Sequence, residues 1–318
     1  IHRAARANDV EVFDLDFMTG VLTDHFQASS RGAVGATARA RSVEIDRSRD
    51  PLYNQLKMYS EVYRMLGWIR PVGKRLEFST TLLGDQIAED FAGHDELAYG
   101  LLRQCVLAIT FPNPATTNVG VVNHRPFSWL LRLAAELGGS ITRHEMILGL
   151  LSVVDDLTPG LFDQTVLNLK LVRGGTRSKL DAACSTFADS AGIQVNTLEN
   201  YTRLPVGVLK APQVGWATSG RIDGLYDRPI EAVTLTASGR ADAAWVTSAV
   251  DVRESMLDRF SLDERAHFAN YAHYAMLIRS GVQPAAVKDF LDRAAAGCEE
   301  ILAALGIADP GALLYSPL

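Results

Sequence analysis

Residue spacing along this 318-residue chain predicts a mainly α-helical protein with small β hairpins, or wings. Three observations carry that expectation. Apolar side chains recur at three- and four-residue intervals over most of the length, the period of one helix face. Strand-like stretches are short and flank glycine turns, near residues 68–78 and 216–235. Ser/Thr-x-x-Glu boxes, Pro at helix starts and Gly at helix ends punctuate the chain. With 47% hydrophobic and 21% charged residues, disordered, collagen-like and coiled-coil chains are excluded and a sizeable core is available.

Residues 1–50 read as an N-terminal arm, partly flexible. Within it, residues 28–50 (ASSRGAVGATARARSVEIDRSRD) are rich in Ser, Gly, Ala and Arg with few large apolar side chains, the composition of a loop or arm that orders on an anionic partner. Pro51 opens a helix whose face is Leu52, Leu56, Tyr59, Val62, Tyr63 and Leu66, stopped by Gly67. Trp68 and Ile69 start a strand, Gly73 turns it with Lys74 and Arg75 at the tip, and residues 76–78 return. Thr81 then caps a helix over 82–90. Helix, two-stranded wing, helix is the order at the back of a winged-helix domain, and residues 51–125 read as a first such subdomain.

Further helices are predicted over 97–109, from Arg125-Pro126, over 143–154 behind the Thr142/Glu145 capping box, near 161–171 and near 178–190. The earlier order then returns: a helix over 198–210 weakened by Pro205 and Gly207, Gly215-Trp216, a Gly-rich turn with Arg221, and a strand over 231–235. Gly67-Trp68 and Thr81-Leu-Leu-Gly84 in the first unit match Gly215-Trp216 and Thr236-Ala-Ser-Gly239 in the second. The expected architecture is therefore tandem winged-helix subdomains, 51–125 and 126–250, followed by a helical C-terminal segment, 251–318. That segment starts a helix at the Ser261/Glu264 box and predicts one long amphipathic helix over 284–305, ended by Gly306.

The formal net charge of −6 argues at first against a nucleic-acid partner. Its distribution argues otherwise. Residues 31–79 hold ten basic and five acidic residues, whereas residues 251–318 hold six basic and ten acidic ones. Lys170, Arg173, Arg177 and Lys179 form a second basic stretch, and Arg203, Lys210 and Arg221 a third, with no acidic residue between 200 and 222.

The chain carries no phosphate loop, dinucleotide-binding glycine turn, zincin motif or nucleophile elbow. Cys105, Cys184 and Cys298 are widely spaced, which excludes a disulfide framework and a paired-cysteine zinc site. The seven histidines show no ligand spacing. Asp9, Glu11, Asp14 and Asp16 could hold Mg²⁺ on an alternating strand, but the Glu-x-Lys that a PD-(D/E)xK nuclease then needs occurs nowhere, so an edge strand or exposed arm is the expectation. No apolar run reaches membrane-spanning length and no signal pattern leads the chain, which predicts a soluble cytoplasmic protein without a membrane partner.

The runs YSEVYRMLGWIRPVGKRLEFSTTLLGDQIAED, LLRQCVLAITFPNP and RPFSWLLRLAAELGGSITRHEMILGLLSVVDD resemble the DNA-recognition region of type IIS restriction endonucleases of the FokI and AlwI kind, including related nicking enzymes. The resemblance spans about residues 47–156 and weakens toward 246. It implies a winged-helix module that reads a short asymmetric site in double-stranded DNA, while a separate nuclease domain or subunit with Mg²⁺ cuts; no cofactor is expected in this chain, whose own sequence lacks the nuclease signature. It places Asn54, Gln55, Lys57, Ser60 and Arg64 on a first recognition helix, with Lys74 and Arg75 on its wing. Asn196, Thr197, Asn200, Tyr201 and Arg203 fall on a second, with Arg221 on its wing. Arg173, Arg177 and Lys179, and Arg39, Arg41, Arg47 and Arg49 of the arm, would grip phosphates. A winged-helix transcriptional regulator that dimerises through the acidic C-terminal helices, and a protein–protein scaffold, are the alternative readings.

Overall fold

The computed structural model describes all residues except 26–27, 31, 44–49, 74–75, 91–92, 94, 114–121 and 317–318, and the side chains of residues 43 and 95. Its first unit begins at the N-terminus: α1 (His2–Ala7), β1 (Phe13–Asp14), α2 (Leu15–Asp24), α3 (Gly35–Val43), α4 (Pro51–Met65), β2 (Ile69–Pro71), β3 (Glu77–Thr80) and α5 (Leu82–Asp90). β1 and β2 both pair antiparallel with β3, Phe13 lying opposite Phe78 and Ile69 opposite Thr80. Met18, Leu52, Leu56 and Phe78 centre a core that Phe13, Leu15 and Ala38 complete.

The arm expected over residues 1–50 is thereby corrected for its described part. The alanines that read as a sparse, flexible composition are what let α3 lie close on α2: Ala38 is fully buried, and Gly20 of α2 faces the Arg39 guanidinium. Asp14, one of the carboxylates weighed as a metal ligand, caps α2 by accepting the Phe17 amide at 2.9 Å.

α6 (Asp95–Ala108) leads to the second unit: α7 (Pro126–Glu136), β4 (Ser140–Thr142), α8 (Arg143–Met146) continuing as a π-helical turn over Ile147–Leu151, α9 (Leu161–Arg173), α10 (Arg177–Ala191), α11 (Val195–Tyr201), α12 (Arg203–Lys210), β5 (Ala217–Ile222), β6 (Ile230–Leu235) and α13 (Ala237–Ser248). β4 and β5 pair antiparallel with β6, so the last strand is central, as in the first unit. The expected Thr142/Glu145 capping box is formed. The helix expected over 198–210 is instead two helices: Pro205 has no N–H to give the Tyr201 carbonyl, and the axis bends at Thr202.

The two Gly-Trp and Thr-x-x-Gly signatures build the same corner. Trp68 O accepts the Thr81 amide at 3.1 Å, and Trp216 O accepts the Thr236 amide at 2.9 Å. Each threonine hydroxyl donates to the carbonyl of the preceding Gly67 or Gly215, at 2.5 and 2.7 Å, and accepts the amide of Gly84 or Gly239, at 2.9 and 3.1 Å. A Cβ on Gly84 would stand 2.0 Å from Trp68 O, and one on Gly239 2.2 Å from Trp216 O. Only glycine lets the strand and the following helix approach so closely.

β7 (Val250–Asp251), α14 (Leu262–Ser280), α15 (Pro284–Ala296), α16 (Glu299–Leu305) and β8 (Leu313–Leu314) complete the chain. The single helix expected over 284–305 breaks at Gly297, which is pressed against the His267 ring, where a Cβ would approach Cγ to 2.2 Å. β8 pairs parallel with β7, and α14 lies on α6, the Ser280 carbonyl close over Gly100.

An ionic hub stitches these parts together. Arg125, 1% exposed, donates from Nε to Asp251 Oδ1 at 3.0 Å, from Nη2 to Val252 O at 2.9 Å and from Nη1 to Ala108 O. Arg253 Nη2 donates to both Asp156 oxygens, at 2.9 and 3.0 Å, and to Asp251 Oδ2 at 2.7 Å. Among the described residues no helix is long and apolar enough to cross a membrane.

Candidate nucleic-acid interface

The bent helix formed by α11 and α12 has one face inside the second unit, through Leu198, Thr202 and Leu209, and one face outside. The outer face carries Asn196, Asn200, Arg203, Leu204, Gly207 and Lys210, all exposed, at the three- and four-residue spacing of a helix surface. The side chains of Asn196, Asn200, Arg203 and Lys210 form no hydrogen bond or ion pair among the described residues. Tyr201 and Leu204 are 55% and 54% exposed, and Thr197 is half-buried.

Beside this helix runs an open groove of about 710 Å³. Val206 and Lys210 of α12 form one wall, and Ser219, Gly220, Arg221, Glu231 and Val233 of the β5–β6 hairpin another. The N-terminus of α8, with Arg143 and His144, and the start of α10, with Arg177, close the third side. Arg143, Arg177, Lys210 and Arg221 outnumber the single lining carboxylate, Glu231. Arg177 is partly engaged: its Nε donates to Asp181 at 2.7 Å and its Nη2 lies 2.9 Å from His144 Nε2. Burial, and then the Arg177 charge, hold His144 below the usual histidine range against the opposing pull of Asp181 and Glu199. The imidazole is thus neutral at physiological pH, and the positive charge of the groove comes from its arginines and lysine.

Of the residues expected to grip or read DNA, Arg177 and Arg221 line this groove, Asn196, Asn200 and Arg203 are exposed on the outer face of the helix that borders it, and Tyr201 is exposed on α11. Lys179 is exposed on α10. Arg173 is a correction. Its guanidinium turns inward, with Nε 2.6 Å from Glu145 Oε1, Nη2 2.9 Å from Oε2 and 2.6 Å from Ser140 O, and Nη1 on Leu137 O. Glu145, fully buried, also accepts the Tyr226 hydroxyl at 2.7 Å and the Thr142 amide. Arg173→Ala would strand that carboxylate and is expected to cost about 3–5 kcal/mol in urea unfolding, while binding per folded molecule stays unchanged; a selective loss of binding at constant stability would refute the assignment.

The first unit presents less. Ser60 is a second correction: it is buried, and its hydroxyl donates to Lys57 O at 2.8 Å. Gln55 accepts the Ser29 amide at 3.3 Å and donates to the Tyr59 hydroxyl at 3.2 Å. Arg64 donates to Ser60 O at 3.2 Å and lies over the Phe78 ring at 5.7 Å. Asn54 is exposed and Lys57 half-buried. Arg39 pairs with Asp24 at 3.3 Å, and Arg41 is exposed on α3. Arg47, Arg49, Lys74 and Arg75 lie outside the described residues.

Arg143 and His144 were missed because in sequence they belong to a capping box, and Lys210 was counted in the third basic stretch without being given a binding role; only the hairpin crossing in front reveals them as a wall. No group of three or more His, Cys, Asp or Glu side chains among the described residues is placed to hold a metal ion. Burial pushes the Cys105 and Cys184 thiols up to about 12 and Cys298 up to about 11, so none is a ready nucleophile. No protein-family model matches this chain, and no curated protein matches it significantly.

Proposed function

We propose that this chain is a sequence-specific recognition module for double-stranded DNA, with the second unit as its principal reading head. The observation that carries the reading is the unpartnered row Asn196, Asn200 and Arg203, set beside a groove walled by Arg143, Arg177, Lys210 and Arg221. Amide and guanidinium groups on a helix face suit adenine and guanine edges in the major groove, and flanking cations suit the phosphates on either side. Two further features support it. In both units a helix precedes an antiparallel hairpin whose last strand is central, the order of winged-helix domains, and each hairpin is hydrogen-bonded at its corner to the threonine that opens the helix behind it. The reading also agrees with the likeness to type IIS recognition regions, in which cutting belongs to a separate Mg²⁺-dependent nuclease domain.

Selection of duplexes from a random pool against the full chain at low salt, with the stoichiometry of the selected complex, tests it. An asymmetric consensus bound by one copy is expected. A palindrome bound by two copies would make the chain a dimeric regulator, and absence of any enriched duplex would end the DNA reading.

A further inference from the structure

The outer face of α12 has a bare spot. Gly207 is helical without a left-handed backbone, and a Cβ built on it meets no atom within 4 Å, so neither the local conformation nor packing calls for glycine. Glycine weakens a helix interior relative to alanine, and its remaining use is to let another molecule approach the backbone closely. The surroundings say which molecule. Leu204, three residues back, is 54% exposed, and the exposed Asn200 stands four residues before it; Arg203 is exposed on the same helix, and Lys210 lines the groove. The result is a patch of open backbone with an aliphatic side chain, an amide and cations on the same helix.

Resting on the duplex-DNA reading above, we infer that this patch reads thymine through its 5-methyl group. In the major groove the methyl is the only apolar feature that a base edge presents, and an exposed aliphatic side chain is the group that recognises it. Leu204 would supply the apolar contact, the missing side chain of Gly207 would let the base edge come close to the backbone, and Asn200, one turn before Leu204, would face an adjacent base. The exposed Arg203 and Lys210 on the same helix match the charge of the nucleic-acid backbone. Such a site also separates DNA from RNA of the same sequence, because uracil lacks the methyl.

The test uses duplexes selected from a random pool with the full chain, in which each constant thymine is replaced in turn by deoxyuridine. At one position the replacement is expected to weaken binding to the unaltered protein about four-fold, the equilibrium equivalent of one buried methyl group. Leu204→Ala, an exposed change that leaves the core alone, should bind thymine and uracil duplexes equally. Gly207→Ala should raise the thermal unfolding midpoint and yet lose or reverse the preference for thymine, because its methyl fills the space the base had used. If uracil is neutral at every position, or both variants keep the thymine preference, the inference is overturned while the DNA reading stands. If no duplex is enriched at all, the underlying reading falls and takes this inference with it.

Discussion

Arg125→Met is expected to lower the free energy of unfolding by about 3–5 kcal/mol, read as a fall in the urea midpoint at unchanged slope. Arg125 bridges three segments: the end of α6 through Ala108 O, the β7 strand through Asp251, and the chain beyond it through Val252 O. Methionine fills comparable volume but leaves two buried carbonyls without donors, and Arg253 as the one remaining arginine of the hub beside Asp156 and Asp251. Lysine would not rescue it, since a single ammonium cannot reach three acceptors in the plane of a guanidinium.

The same hub sets an acid limit. Burial alone would raise the Asp156 carboxyl, but His124, Arg253 and the Arg125 amide outweigh it and hold the group down to about 2. A depressed carboxylate stabilises the fold above the unfolded value near 4, and that contribution, roughly 2 kcal/mol for this side chain with 6% exposure, is lost as pH falls from about 4 through about 2. Asp156→Asn should flatten that part of the pH profile. An unchanged midpoint in Arg125→Met, or an unchanged acid slope in Asp156→Asn, would show that the hub carries no stability.

Combining Arg143→Ala, Lys210→Ala and Arg221→Ala is expected to leave the unfolding midpoint nearly unmoved, since all three side chains are exposed. Duplex affinity should fall steeply. Each phosphate contact contributes about 0.9 to the slope of log affinity against log salt, so the triple variant should lose about 2 to 3 from that slope if these cations hold phosphates. An equal salt slope in the triple variant and the parent protein would dismiss the groove as a backbone-binding wall. Arg173→Ala should do the opposite, lowering stability while leaving binding per folded molecule unchanged.

Local signals in the sequence were legible and distant ones were not. The capping boxes at Thr142 and Ser261, the helix start at Pro51 and the paired Gly-Trp corners depend on residues a few positions apart, and each forms as its spacing predicts. The fate of Arg173 depends on Glu145, 28 residues away, and that of Arg125 on Asp251, 126 residues away; charge counting cannot distinguish an arginine that turns inward from one that faces solvent. The alanines of α3 misled for a related reason. A small side chain looks weak in a composition, yet it is what permits two helices to pack closely. For the candidate surface, Asn200, Arg203 and Arg221 were visible as residue types, whereas the wall made by Arg143 and His144 exists only after the hairpin has folded back across α8.

The corner at Trp216 has a mechanical consequence. Its carbonyl is tied to the Thr236 amide, its indole Nε1 donates to Asp242 Oδ2 at 2.7 Å, and Asp242 also meets Arg279 of α14 at 3.3 Å and Arg103 of α6 at 3.7 Å. The hairpin, α13 and the two long helices behind them are therefore joined through one tryptophan and the aspartate it bonds. A change at Trp216 would therefore reach α6, α13 and α14 together and not the hairpin alone.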